Sequence, residues 1–311
     1  MMKREESSNP VSGQISAMRP ISFQGREKIA AWLFILPALA GLLLFVYYPM
    51  IRSLITSFTQ FHSLSGSSTF TGIDNYIQLL KDKQFLNSIS NSFYFAILVI
   101  PTQTLMALGL ALLVKKKSKL SGIFRTVYFI PVIVAFGVAS TLFKLIYNKD
   151  YGILNGILNS FGLPSVSLLT DPANAMYGIV ILCIWKTAGF FMIIFLAALN
   201  NIPANLYEAA EVDGATAVRR FIHITLPLLK RTMAFVVVIT TMDAIKVAAP
   251  IFIMTNGGPA DSTTTIVFYI VKTAFQLMNL GYASAAAFIL FFIVMIIAIV
   301  QMRLFRSDVE Y

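Results

Sequence analysis

The sequence predicts an all-α membrane protein with six transmembrane helices, and three observations support this fold class. Of the 311 residues, 57% are apolar and only 12% are charged, whereas a soluble domain has about 25% charged residues. Six stretches are apolar over the length of about 20 residues that a helix needs to cross a hydrocarbon core of roughly 30 Å. Lys and Arg concentrate in alternate connecting segments, as expected for a polytopic membrane protein.

The chain begins with a polar, Ser-rich segment, residues 1–28, which we expect to form a cytoplasmic tail before the transmembrane domain 29–305. The first apolar run is long enough to span a membrane, so we interpret it as an uncleaved span and not as a signal peptide. Residues 306–311 are expected to form the second tail. The predicted spans are approximately 29–51, 89–114, 123–147, 174–199, 232–254 and 283–303.

Five prolines fall inside these spans and predict kinks in membrane helices. They are Pro37, Pro49, Pro101, Pro131 and Pro250. The segment 262–278 is nearly apolar enough to be a seventh span, but Lys272 lies near its centre. A charge at that depth is costly, so we predict a helix at the outer membrane interface instead.

The distribution of Lys and Arg predicts the orientation. If the N-terminus is cytoplasmic, inside segments hold sixteen of these residues and outside segments hold six, with Lys186 and Lys246 inside spans. Because basic residues accumulate on the cytoplasmic side, both termini and the loop 200–230 are predicted to be cytoplasmic. The formal charge of +10 is thereby explained by topology and lipid contact, and no nucleic-acid partner is expected.

The loop 200–230 carries a crowded polar stretch, from Glu208 to Pro227, between two apolar spans. Gly214 interrupts it, and glycine adopts positive φ at no steric cost. We predict two short helices joined at Gly214, with Thr216 capping the second helix and Pro227 ending it.

The same stretch places Glu208-Ala209-Ala210, Gly214, Ile224, Leu226 and Pro227 at a fixed spacing. This pattern resembles the EAA loop of the membrane-spanning subunits of binding-protein-dependent ATP-driven (ABC) importers. The resemblance implies a type I ABC importer permease fold in which these seven residues form the coupling contact with an ATPase. It also implies a location in the bacterial cytoplasmic (inner) membrane.

The resemblance implies several partners: a second homologous permease subunit, two ATP-binding cassette ATPase subunits, an extracytoplasmic solute-binding protein and the surrounding lipid. The chain contains no Gly-x-x-x-x-Gly-Lys-Ser/Thr phosphate loop, so we expect it to bind no cofactor and not to be an enzyme. ATP and Mg²⁺ are expected on the ATPase subunits.

A second set of motifs narrows the resemblance. Asn256-Gly257-Gly258-Pro259 predicts a turn on its own. Together with Gly281-Tyr282-Ala283-Ser284-Ala285 and the segment 70–91, which begins Phe-Thr-Gly-Ile-Asp-Asn-Tyr, it resembles the carbohydrate branch of these permeases, which includes the larger maltose transporter subunit. The resemblance implies a carbohydrate substrate and places residues 256–259 on the binding-protein side. Relative to the maltose subunit, this chain has six spans instead of eight and no large inserted outer domain.

Three ionisable residues, Lys186, Asp243 and Lys246, lie within predicted spans. Such groups cost several kcal/mol unless they are paired or hydrated. In one interpretation, Asp243 neutralises Lys246 and a partner subunit satisfies Lys186. In the other, the three face the translocation path together with Phe190, Thr240, Ala244 and Val247, which recur at helical spacing. Two lysines against one aspartate would then favour an acidic oligosaccharide or a sugar phosphate.

Other classes of protein fit the sequence less well. An importer permease for a non-sugar solute is an alternative. An ion-coupled secondary transporter would need buried acids and often inverted repeats, but Asp243 is the only acid well inside a span. Cys183 is the only cysteine, and the two histidines, His62 and His223, are far apart in sequence, so no metal site is predicted.

Overall fold

The computed structural model describes residues 23–61, 68–115 and 119–305. Residues 1–22 of the predicted N-terminal tail, the whole predicted C-terminal tail and His62 lie outside these ranges. Helical structure begins at Phe23, before the predicted end of the tail at residue 28.

The described chain consists of helices joined by loops and contains one short hairpin. The hairpin pairs β1 (Thr59–Phe61) antiparallel with β2 (Ser68–Phe70). Three π-helical turns occur, π1 (Leu43–Tyr47), π2 (Phe221–Thr225) and π3 (Lys272–Gln276). In chain order the α-helices are α1 (Phe23–Leu42), α2 (Tyr48–Ser57), α3 (Asp74–Leu79), α4 (Lys83–Val114), α5 (Lys119–Ile133), α6 (Phe136–Ile146), α7 (Ile153–Ser160), α8 (Ala175–Asn200), α9 (Ala204–Val212), α10 (Ala217–Arg220), α11 (Leu226–Leu228), α12 (Lys230–Ile245), α13 (Ala249–Met254), α14 (Ile266–Val271) and α15 (Leu280–Leu304).

Four helical runs are long and apolar enough to cross a membrane: Ala30–Ser57, α4, α8 and α15. Two bent pairs bring the number to six if each pair is one span. The predicted all-helical membrane fold is therefore confirmed. The segment Ile266–Gln276 is a shorter apolar helix, and its length of 11 residues, about 16 Å, is too short to cross a bilayer.

The predicted third span, 123–147, is not one continuous helix. The runs Leu120–Ile133 and Phe136–Ile146 meet at an angle of 100°. Pro131 lacks the N–H that an interior helical residue donates. The Val132 carbonyl oxygen, left without a helical donor where α5 ends, accepts a hydrogen bond from Lys186 Nζ on α8 at 3.2 Å.

The predicted fifth span, 232–254, is also interrupted. Helix α12 ends at Ile245, and α13 starts only at Ala249 with Pro250 in its first turn. The Thr265 hydroxyl donates to the Val247 carbonyl oxygen at 3.0 Å and so satisfies the backbone of the break. The Lys144 ammonium group donates to the Ile253 carbonyl oxygen at 3.0 Å.

Two prolines that could break helices are accommodated by π turns. Pro49 follows π1, and Pro227 follows π2. A π turn widens the helix locally, so the carbonyl that a proline would otherwise crowd is displaced. The helical run from Ala217 ends at Leu228, one residue after Pro227, and the chain bends by 65° before α12.

Helices α4, α8 and α12 form the centre of the bundle, with α4 packed along α8 and α12. Their buried side chains form two apolar clusters, one containing Phe95, Cys183 and Ala244 and the other containing Leu108 and Phe195. A third cluster joins the start of α4 to α14 and α15. The contacts divide the chain into two units with a boundary between Arg52 and Ser53, and the sites below lie in the second unit.

Candidate functional site

A cavity of about 300 Å³ lies at the centre of the bundle. Residues from α4, α6, α8, α12 and α13 surround it, together with the break between α12 and α13. Its lining is mostly apolar, with hydroxyl groups and one residue of each charge. The lining residues are Phe95, Val99, Phe136, Cys183, Thr187, Phe191, Thr240, Asp243, Ala244, Lys246, Val247, Ala248, Ala249 and Pro250.

Five of the seven residues predicted for a substrate path line this cavity: Thr240, Asp243, Ala244, Lys246 and Val247. Asp243 and Lys246 are exposed residues. Within the described ranges, the single ion pair is formed elsewhere, by Glu211 and Arg220. Asp243 and Lys246 therefore share the cavity wall without a salt bridge between them.

The structure does not place Lys186 in the cavity. Its side chain is 7% exposed, and its Nζ contacts the Val132 carbonyl oxygen and lies 4.7 Å from the centre of the Phe136 ring. A carbonyl dipole and an aromatic face both stabilise a buried cation. Lys186 is thus satisfied within its own chain, and it supports Phe136, which does line the cavity.

Phe190 also lies outside the cavity wall, and its neighbour Phe191 lies in it. Phe190 is 42% exposed and packs edge-to-face against Phe191, with ring centres 5.2 Å apart. One residue along a helix rotates the side chain by about 100°. The predicted stripe through Lys186 and Phe190 is therefore displaced by one position from Thr187 and Phe191, which line the cavity.

The segment predicted to contact an ATPase has the expected local geometry. Helix α9 carries Glu208, Ala209 and Ala210, and Gly214 follows with φ +73°. The Thr216 hydroxyl caps α10 by accepting a hydrogen bond from the Arg219 N–H at 3.3 Å. Ile224 lies in π2, and Leu226 and Pro227 begin α11.

Electrostatic and polar contacts hold this segment together. Arg220 Nη1 lies 2.9 Å from Glu211 Oε2 across the turn at Gly214. The Tyr207 and Thr225 hydroxyl groups are 2.8 Å apart. Apolar side chains nevertheless remain uncovered, with Val212 89% and Val218 67% exposed. The segment is therefore a folded unit that presents apolar groups beside the exposed Glu208.

The predicted turn at 256–259 is observed, and hydrogen bonds hold it firmly. Asn256 and Gly257 have positive φ. A side chain at Gly257 would lie 2.6 Å from the Phe268 ring. The Thr263 hydroxyl donates to the Gly258 carbonyl oxygen at 2.8 Å, and Asn91 on α4 donates to the Asp261 carbonyl oxygen at 2.8 Å. Asn256 itself is exposed.

A carboxylate near this turn joins three helices. Asp82 caps α4 by accepting from the Gln84 N–H at 2.8 Å, and it accepts from the Tyr269 hydroxyl at 2.6 Å and the Tyr282 hydroxyl at 3.2 Å. Burial acts to raise the pKa of Asp82, but the hydrogen bonds from Tyr269, the backbone and Tyr282 outweigh it and hold the pKa below the ordinary value of 3.8.

Comparison with known proteins agrees with this arrangement. The family described as "Binding-protein-dependent transport system inner membrane component" matches residues 75–310. The probable ABC transporter permease protein YurN of Bacillus subtilis is 35% identical over 92% of this chain and 99% of its own length. The trehalose/maltose transport system permease protein MalF of Thermococcus litoralis is 33% identical over 91% of this chain and 96% of its own length.

A solved structure of a bacterial ABC transporter that imports the acidic polysaccharide alginate contains a similar chain. The TM-score is 0.82 at 26% identity, covering 92% of this chain and 98% of the other. A second structure of a bacterial alginate transporter, with an alginate pentasaccharide-bound periplasmic protein, gives a TM-score of 0.80 at 25% identity over the same shares of both chains. The chain thus belongs to the family of binding-protein-dependent ABC importer permeases, the multi-pass membrane subunits of these transport systems.

Proposed function

We propose that this chain forms half of the translocation path of an ATP-driven carbohydrate importer, and that the central cavity contacts the sugar. Phe95, Phe136 and Phe191 offer aromatic faces, against which the CH groups of a sugar ring stack. Thr187 and Thr240 offer hydroxyl groups on the same wall. An apolar pocket with a few polar groups is the usual form of a small-molecule site. The transport of trehalose and maltose by one relative supports the same substrate class.

The unpaired hydroxyl group of Thr240 is the main evidence for the proposal. It lines the cavity, its side chain is 2% exposed, and its hydroxyl group has no hydrogen-bond partner among the residues that the structure describes. An unsatisfied buried hydroxyl costs about 1–3 kcal/mol, and a sugar hydroxyl would remove that cost.

The formal charges that line the cavity favour a solute without net charge over the acidic solute expected from the sequence. That expectation counted Lys186 and Lys246 against Asp243, but only Lys246 and Asp243 line the cavity. The two formal charges cancel, so we propose an oligosaccharide with no requirement for net charge. An acidic saccharide is the second candidate, because the similar solved transporter imports alginate.

We further propose that the chain works with a second permease, two ATPase subunits and an extracytoplasmic binding protein. The distribution of Lys and Arg supports an orientation in which α9 and α10 face the cytoplasm and the turn at 256–259 faces the binding protein. Glu208, Ala209, Ala210, Gly214, Ile224, Leu226 and Pro227 would then form the ATPase contact.

Uptake by the complete transporter in proteoliposomes tests the proposal. Labelled maltose, trehalose and an alginate trisaccharide are each supplied with the cognate binding protein, and a labelled amino acid serves as the non-sugar solute. We expect uptake of a neutral sugar that depends on ATP. Uptake of the amino acid alone would contradict the carbohydrate assignment, and uptake of the alginate trisaccharide alone would favour the acidic candidate.

Thr240→Val tests the position of the sugar. The substitution keeps the shape of the side chain and removes its hydroxyl group, so we expect uptake to fall roughly fivefold, as for the loss of about one neutral hydrogen bond. Thr104→Val is the matched control, because Thr104 is also buried but donates a hydrogen bond to the Ile100 carbonyl oxygen of its own helix at 2.7 Å. Wild-type uptake by Thr240→Val would show that the sugar does not contact this wall.

A further inference from the structure

A polar layer crosses the central bundle between its two main apolar clusters. It consists of Gln103 on α4, Thr187 on α8 and Thr240 on α12. Along each of these helices, one apolar cluster lies before the layer and the other lies after it. Gln103 is fully buried (0% exposed), whereas Thr187 and Thr240 line the cavity. The layer therefore joins a buried carboxamide to the cavity wall.

Thr187 connects the carboxamide to the cavity. Its hydroxyl oxygen lies 3.1 Å from Gln103 Oε1 and 2.8 Å from the Cys183 carbonyl oxygen. One hydroxyl proton can be donated to only one of these acceptors. The Cys183 carbonyl already accepts the helical N–H four residues later, whereas no other donor to Gln103 Oε1 is found in the described part of the chain. Donation to Gln103 satisfies that oxygen, and with either acceptor the lone pairs of Thr187 stay available to accept a hydrogen bond.

Two polar atoms of this layer have no partner among the described residues, Gln103 Nε2 and Thr240 Oγ1. Both are buried, and a buried polar group without a partner is destabilising. These two unpaired groups therefore lie at or next to the wall of a cavity that is otherwise mostly apolar. A ligand hydroxyl group that accepts a hydrogen bond from Thr240 would remove the cost at Thr240.

We propose that this layer is a hydroxyl-binding subsite for the carbohydrate and that Gln103 is its positioning residue. A sugar hydroxyl donates to Thr187 Oγ1, and Thr240 donates to the sugar oxygen. Gln103 keeps the Thr187 proton pointed away from the cavity. Hydrogen bonds in such a chain strengthen one another, so the contact depends on Gln103 although the sugar touches only the two threonines. This inference rests on the proposed carbohydrate substrate.

We call the hydrogen-bonded chain from Gln103 through Thr187 to the sugar the relay. Sugar retention by the vanadate-trapped complete transporter tests it. The probe is labelled maltose, or labelled trehalose if uptake shows that trehalose is the transported sugar. We expect Gln103→Met to raise the half-saturating sugar concentration roughly fivefold, since one hydrogen bond of the relay is lost. The midpoint of thermal unfolding of Gln103→Met should not fall. The wild-type amide is buried and has an unpaired N–H donor, and the substitution replaces it with an apolar side chain. If Gln103 had only a structural role, Gln103→Met would change the unfolding midpoint and leave the half-saturating sugar concentration unchanged.

Substitutions at Thr187 complete the test. Thr187→Val should weaken retention and Thr187→Ser should restore it, because serine keeps the hydroxyl group. The double variant Gln103→Met/Thr187→Val should be no weaker than Thr187→Val alone, since Gln103 acts through Thr187. Gln301→Met is the control, because Gln301 is a glutamine of α15 outside the cavity.

The outcomes separate the two proposals. If the wild-type transporter retains neither sugar, the proposed neutral substrate is contradicted and the relay falls with it. If it retains a sugar and Gln103→Met retains that sugar equally well, the relay alone is overturned. Should Gln103→Met fail to assemble, equal retention by Thr187→Val and Thr187→Ser would overturn the relay as well.

Discussion

Asp82 shows how a single carboxylate can hold several elements together. It stands directly before α4, and its oxygens accept hydrogen bonds from the backbone of α4, from Tyr269 on α14 and from Tyr282 on α15. Hydrogen bonds to an ionised acceptor are roughly twice as strong as neutral ones. The ionised form of Asp82 is therefore a main link between the start of α4 and the two later helices.

We expect Asp82→Asn to lower stability by about 2 kcal/mol near neutral pH, because asparagine still caps the helix but replaces an acceptor oxygen with an NH₂ group. Since the folded-state pKa of Asp82 is lowered from 3.8, its contribution is present above pH 3.8 and is lost as pH falls through the lower folded value. The unfolding midpoints of the two proteins should thus converge when the pH is lowered from neutral to below 3.8. A difference of equal size at both pH values would contradict this account. Asp74→Asn is the control, because Asp74 is exposed.

The contrast between Lys186 and Lys246 shows how far the site could be predicted from sequence. Both lie in apolar stretches, and helical spacing places both beside polar neighbours. Lys246 lines the cavity, but Lys186 contacts the end of α5, a partner 54 residues earlier in the chain. The periodicity of α12 is enough to predict that Thr240, Asp243 and Ala244 share one face, and all three line the cavity. The partner of Lys186 depends on a break in another helix, which no local pattern specifies.

Helix α5 contacts α8 closely at Gly189. A side-chain carbon added there would overlap the Tyr128 carbonyl oxygen and would lie 2.7 Å from the carbonyl carbon and 3.0 Å from Phe129 Cα. These atoms belong to backbone and cannot rotate away. Small residues allow membrane helices to approach in this manner. The position of α5 therefore depends on the absence of a side chain at Gly189 of α8. The break between α5 and α6 depends on it in turn.

We expect Gly189→Ala to destabilise the folded protein by about 3 kcal/mol, because the two helices must move apart. The same change at Gly109 on α4, where no atom lies within 4 Å of the added carbon, should be neutral or should stabilise by about 0.5–1 kcal/mol, as usual within helices. Thermal unfolding of both purified variants in detergent measures the difference. Equal midpoints for the two variants would show that α5 does not contact α8 as described.

Helix breaks illustrate the part of the fold that the sequence does not determine locally. Pro101 lies inside α4, which continues over 32 residues, whereas Pro131 is followed by a bend of 100°. Proline alone therefore predicts neither outcome. The bend also involves Gly189 and Lys186, both on α8. By contrast, the turn at Gly214 and the cap at Thr216 involve only neighbouring residues, and both were predictable from the sequence.

At the scale of the whole molecule, the chain combines a folded cavity with surfaces suited to other subunits. The cavity lies between α4, α8 and α12, while α9 and α10 carry exposed apolar side chains such as Val212. Exposed apolar patches with a polar rim are typical of protein interfaces. Movement of α9 and α10 can reach the cavity through α12, because π2 and α11 connect α10 to α12 without a loop.

Glu208→Lys tests whether α9 transmits ATP hydrolysis. Glu208 is exposed, and no hydrogen bond or ion pair of its side chain occurs in the described chain, so we expect normal insertion and an unchanged unfolding midpoint. If α9 docks against a basic group of the ATPase, the reversed charge becomes a like-charge contact, which costs several kcal/mol. Hydrolysis stimulated by the sugar-loaded binding protein should then fall at least tenfold, a loss of about 1.4 kcal/mol or more.

Asp150→Lys is the control, because it makes the same charge change at an exposed residue between α6 and α7. A transporter with this variant should hydrolyse ATP like the wild type. Full stimulation of Glu208→Lys would show that this end of α9 does not contact the ATPase, whereas equal losses in both variants would mean that overall charge, and not docking of α9, controls hydrolysis.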